Sequence, residues 1–211
     1  MEADWEVEIG AEAPVIEALW PGFIDLWRTP ERIREIEEAQ RLPALATALV
    51  HLNHPDLDPD LSMDPVAADA SSESQIWTSK CDLWVLNPTL HPWDLDELDA
   101  APPESVAALA CYIDMVGSDA SVFARLDKTE AWARAAVYRL REIVCRSCRA
   151  DLVIRRAFKE DQEVFGITVY TVACGADAIA AEQALSGALL ALVTAIRAAS
   201  SNIGRSFEAN P

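Results

Sequence analysis

Seven side chains offer the most chemistry if they share a surface: Lys80, Asp82, Trp84, Tyr112, Asp114, Arg155 and Tyr170. They combine both signs of charge with aromatic rings, the mixture that a pocket for a small polar ligand uses. Lys80 or Arg155 can hold an anion. Asp82 or Asp114 can receive a cation or act as a general base. Two other uses of the same residues are structural. They can pair across strands on a solvated sheet face, or they can meet acidic N-terminal helices packed over them.

A second group is Cys145-Arg146-Ser147-Cys148, with Cys174 further along the chain. A redox C-x-x-C gains from a helix N-terminus, whose positive end favours thiolate. Here the pair falls at the end of a helical stretch, which opposes it, while Arg146 and Arg149 favour it. If the strands after Cys148 and before Cys174 are antiparallel neighbours, three thiols converge. Structural zinc takes four ligands, and no fourth is evident. Packed thiols are the simpler reading, since free Cys is among the most buried residue types.

The histidines lie in acidic surroundings. His51 and His54 precede Asp56, Asp58 and Asp60, and His91 precedes Trp93, Asp94, Asp96, Glu97 and Asp99. The Asp-x-Asp-x-Asp run opens like a calcium loop, but Leu61 stands where Gly is needed and Ala67 where the bidentate Glu belongs. These runs read as solvated charge. No glycine-rich phosphate loop, nucleophile elbow or H-E-x-x-H zinc motif is present, so no cofactor and no metal are expected.

The candidate residues need a sheet to bring them together. Residues 76–86 alternate, with Lys80, Asp82 and Trp84 on one face. Residues 107–116 alternate likewise, with Tyr112 and Asp114 opposite Cys111, Ile113 and Met115. Residues 151–159 and 164–174 form a hairpin that adds Arg155, Thr168 and Tyr170. Helices are expected over 128–145, with a 3.6-residue apolar repeat, and over 176–199, apolar enough to be buried in the core or in a subunit contact. The first 53 residues read as short helices over 14–20, 22–28, 31–41 and 43–52, Thr29-Pro30 supplying a start signal.

The expected fold is therefore an α+β two-layer sandwich with a four-stranded antiparallel sheet in β-β-α-β-β-α order. That order resembles a ferredoxin-like arrangement with its last strand moved to the front. The domain plan is an N-terminal helical extension over 1–53, an acidic Pro/Asp/Ser linker over 54–75, the sandwich over 76–200 and a tail over 201–211. The helical extension would cover the second face of the sheet or one edge. Residues 87–106 read as a long acidic connection, the kind of loop that often forms a lid.

Charge is unevenly distributed. Residues 1–104 carry 23 acidic and 5 basic side chains, residues 105–211 carry 12 of each, and the net charge is −18. This excess disfavours nucleic acid and anionic membranes. It suits a basic protein partner or a polar ligand. The Arg cluster of the second half (Arg139, Arg141, Arg146, Arg149, Arg155 and Arg156) is expected to be answered by acids of the first. No leader segment is visible and the longest uncharged apolar run is too short to span a bilayer, so a cytoplasmic homo-oligomer with five thiols is expected. Three functions follow: a binding or interaction module on the polar sheet face, a small acid/base enzyme on the same face, or a thiol-zinc or redox protein.

Overall fold

A computed structural model describes residues 1–18, 23–54, 83–92, 104–117, 120–145, 147–159 and 162–208, with 83–92, 120–121 and 201–208 described as backbone. Among these the strands are β1 (Glu2–Glu8), β2 (Ile16–Ala18), β3 (Leu83–Pro92), β4 (Ala107–Gly117), β5 (Cys148–Lys159) and β6 (Gln162–Gly175). The helices are α1 (Glu37–Arg41), α2 (Pro43–Asn53), α3 (Ala120–Phe123), α4 (Leu126–Arg141) and α5 (Ala178–Glu208), with a 3-10 turn at Pro30–Glu35. They form a mixed α+β fold.

Alternation in β4, β5 and β6 sets the two faces of the sheet. Cys111, Ile113 and Met115, Leu152 and Ile154, and Ile167 and Val169 are buried against one side in a single apolar core. Three helices cover that side: α4 lies over β1 and β5, α5 over β6 and β4, and α2 over β3. The α5 segment Ala178–Ser200 is long and apolar enough to cross a membrane, and half of its most apolar window is buried here. Its buried positions, Leu185, Leu189, Leu192 and Ile196 among them, make it the central core helix. Trp132 of α4 is fully buried against Phe123, and its indole N–H donates to Ser200 at 3.2 Å. Arg197 of α5 donates to the His51 and His54 carbonyls at 3.2 and 3.3 Å, satisfying groups left open at the end of α2.

The sheet runs β1-β5-β6-β4-β3, with β2 also paired to β5. Strands β3, β4, β6 and β5 are antiparallel neighbours, while β1 and β2 lie parallel to β5. Glu8 sits opposite Arg155 and Ile16 opposite Ala157. In effect β1 and β2 form one edge strand from which residues 9–15 loop out.

The expected four-stranded antiparallel sheet is thus six-stranded and mixed. Glu2–Glu8 and Ile16–Ala18 are strands within the stretch expected to be a helical extension. Glu2–Glu8 alternates acid with apolar residues, and Val15 and Ile16 are β-branched, a stiffness that favours strand once β5 offers a partner. The helix expected over 31–41 is a 3-10 turn and a short α1, separated by an extended Ile36. Its narrow apolar stripe cannot hold a longer helix to the core. Helix α4 ends at Arg141, short of Cys145. Strand β3 continues through Asn87-Pro88 to Pro92, with a register shift between Val85 and Pro88. Proline is tolerated at such a position because an edge strand or bulge does not need its N–H. Residues 76–82 and the linker beyond His54 lie outside the described residues, as does Cys81.

Candidate functional site

The face opposite the helices has two unlike ends. At one, Ile16, Val116, Ala157 and Val164 form a small apolar cluster with Ala18 and Phe23 packed against it. Gly166 makes this closure possible. A Cβ there would stand 2.8 Å from Ile16 Cδ1 and 2.8 Å from the Met115 carbonyl. At the other end the face is polar and, among the described residues, uncovered by helix. α2 joins α4 and α5 in the helix layer, so the expected cover by N-terminal helices does not form there.

A hydrogen-bonded chain crosses this polar end. Thr168 donates to Asp114 at 2.6 Å, and Arg155 donates to Thr168 at 3.3 Å. Arg155 also donates twice to one oxygen of Glu8, at 2.8 and 3.2 Å. Its guanidinium lies 5.6 Å from the Tyr170 ring centre, and the Tyr170 and Tyr112 rings are 5.9 Å apart. Thr168 and Asp114 are buried, and the Arg155 side chain is only 12% exposed. Burial works against the charge of Arg155, but hydrogen bonds to Glu8 and Tyr170 more than offset it and its pKa is raised. The guanidinium is thereby fixed in place and in charge.

Beside it lies a groove of about 500 Å³ between β1 and β6. Val153 lines it together with Arg155 and Tyr170, and Asp4, Glu6, Arg149 and Asp151 supply its charges. Arg149 is bidentate to Asp151 at 2.7 and 3.0 Å, which raises its pKa. Asp4 receives Arg141 at 3.4 Å. Among the described residues Glu2 and Glu6 form no ion pair, so the carboxylates along β1 outnumber the guanidinium groups that answer them.

Of the seven residues expected on the polar face, Tyr112, Asp114, Arg155 and Tyr170 do come together there. Trp84 lies in β3 opposite Val116. Lys80 and Asp82 lie outside the described residues. Arg155 and Tyr170 line the groove, whereas Asp114 is a buried acceptor opposite Thr168 in the β4–β6 register. The groove residues contributed by β1 had not been expected. Their signal is the period-two pattern Glu2-Ala3-Asp4-Trp5-Glu6-Val7-Glu8, which puts every acid on one face.

Comparison with protein-family models, curated proteins and solved structures finds no match.

The cysteines are arranged differently from the expected thiol cluster. Cys145 and Cys148 are joined in a disulfide, where five thiols were expected. Cys148 is opposite Ala173 in the β5–β6 register, so the pleat turns Cys174 to the other side of the sheet. Among the described residues no three His, Cys, Asp or Glu side chains gather as metal ligands. Cys111 and Cys174 are free and buried, and burial pushes the Cys111 thiol up to about 12 and raises that of Cys174. His54 bonds the Leu26 carbonyl at 2.8 Å and His51 is buried beside Arg197, so both are engaged in packing. His91 is opposite Ala110 in β3, and Asp56, Asp58 and Asp60 lie outside the described residues.

Proposed function

We propose that this chain is a binding module whose polar sheet face receives a cationic group, carried by a small polar ligand or by a basic partner protein. The observation that carries this reading is the groove between β1 and β6. Arg155, bonded to Glu8 and set beside the Tyr170 ring, lines one side with Tyr170, and Asp4 and Glu6 line the other. Pre-ordered side chains reduce the entropy lost on binding. The net charge of −18 would draw a cationic ligand to the face. The antiparallel unit β3–β6 with α4 and α5 is best read as the ferredoxin-like sandwich with its last strand at the front, a scaffold that leaves one sheet face available. Binding is favoured over acid/base chemistry because, of the two expected bases Asp114 and Asp82, Asp114 accepts from Thr168 and does not line the groove.

Calorimetric titration with a Lys-Ser alternating heptapeptide and with spermine tests this, a Glu-Ser heptapeptide serving as control. The reading expects binding of at least one of the two cationic probes, weakened about tenfold by Glu6→Lys and by added salt. No heat from either cation, or equal heat from the acidic control, would overturn it.

A further inference from the structure

The disulfide sits where the first strand is fastened. The Met1 amino group donates to the Ile143 carbonyl, and Arg141 donates to the Ala3 carbonyl at 2.8 Å. The next residues of this end, Glu2 and Ala3, pair in register with Arg149 and Ala150 of β5. The N-terminal end of β1 is therefore gripped from two sides, by Arg141 and Ile143 at the end of α4 and by the first residues of β5. Cys145 and Cys148 join those two sides across a Cα–Cα distance of 5.8 Å, within the span a disulfide bridges.

We propose that the Cys145–Cys148 disulfide is a redox-sensitive clasp on β1, opened by a dithiol reductant and closed again by a disulfide oxidant. The two sulfurs differ in access. Cys145 is partly exposed and Cys148 is 5% exposed at the base of β5. A thiolate of the reductant attacks Sγ of Cys145 and breaks the bond, and Cys148 leaves as thiolate and takes up a proton. The second thiol of the reductant then displaces Cys145, which also ends as a thiol. Two electrons and two protons pass from the dithiol to the protein, and the dithiol becomes a cyclic disulfide. With the link open, the disulfide no longer ties Cys145, beyond the end of α4, to Cys148 at the start of β5. The N-terminal end of β1 then keeps its pairing with β5, its packing under α4 and the Met1 and Arg141 contacts, but loses the covalent tie between the two sides that grip it. Asp4, and with it one wall of the groove, belongs to the strand so released.

Hydrogen exchange of the full-length protein, read with and without dithiothreitol, tests the clasp and needs no ligand. The oxidised protein should leave Cys145 and Cys148 unlabelled by iodoacetamide after denaturation. On reduction both should label, and the amides of Glu2–Glu8 should exchange about tenfold faster while those of β4 and β6 keep their protection. Cys145→Ser with Cys148→Ser should match the reduced protein whatever the redox buffer. Either of two results would overturn the clasp: both thiols staying open to label after treatment with oxidised glutathione, or opening and closing with unchanged exchange in β1. Because neither readout involves binding, failure of the clasp is distinct from failure of the groove to bind.

Discussion

Thr168 is the residue on which the polar face turns. Its hydroxyl accepts from Arg155 and donates to Asp114, so it joins a cation to a buried carboxylate without exposing either. Thr168→Val keeps the shape and removes both bonds, so the buried Asp114 loses one of its donors. It should cost about 1–3 kcal/mol in urea denaturation, and an unchanged midpoint would mean that Asp114 finds another donor. Cys111 makes a prediction in pH. Its thiol is pushed from 9.0 to about 12 by burial, so below pH 9 both folded and unfolded chains hold the proton and the contribution is complete. Above pH 9 the unfolded chain releases it first and stability falls as pH rises toward the folded value. Wild type should therefore lose about 1.4 kcal/mol per pH unit more than Cys111→Ala between about pH 9 and 11; parallel slopes would contradict that burial. At this scale four of the seven expected face residues were legible, because strict alternation in β4, β5 and β6 needs no partner to be recognised.

At the scale of elements, the sequence announced the strands whose faces differ in hydropathy and hid those whose faces differ in charge. β4, β5 and β6 alternate apolar with polar residues, and their strand assignments agree with the structure to within a few residues. β1 alternates carboxylates with Ala3, Trp5 and Val7, and acids are depleted from strands in general, so its period is easily passed over. β2 is three residues long and owes its conformation to β5 and to the hollow above Gly166. That dependence can be measured. Gly166→Ala places a methyl group against Ile16 and the Met115 carbonyl, and should cost about 1–3 kcal/mol, with faster amide exchange in Ile16–Ala18 than in β1. Equal protection of β2 in both proteins would mean that the close approach does not hold the strand. The break between Pro30–Glu35 and α1 was likewise hidden, since the charged run reads as helix until the extended Ile36 is seen.

For the whole molecule, the charge asymmetry was expected to be cancelled by the Arg cluster, and it is answered only in part. Arg139, Arg149 and Arg156 pair with Glu142, Asp151 and Glu163 of their own half. Among the described residues only Arg141 with Asp4 and Arg155 with Glu8 join that cluster to the acidic half. A chain of net charge −18 with so few such pairs repels itself. Raising NaCl from 0.05 to 0.5 M at pH 7 should lift the melting temperature by about 2–4 °C, the shift that ~1 kcal/mol produces in a chain of this size. A fall would show that ion pairs outweigh repulsion. The same surplus of carboxylates gives the polar sheet face its proposed use, and the site of binding tests that use most directly. Amide chemical shifts of the labelled protein, followed as the Lys-Ser heptapeptide is added, should move at Asp4–Glu6, Arg149–Arg155 and Tyr170 and stay still across α2, α4 and α5. Shifts confined to the helix layer, or none at saturating peptide, would contradict the account.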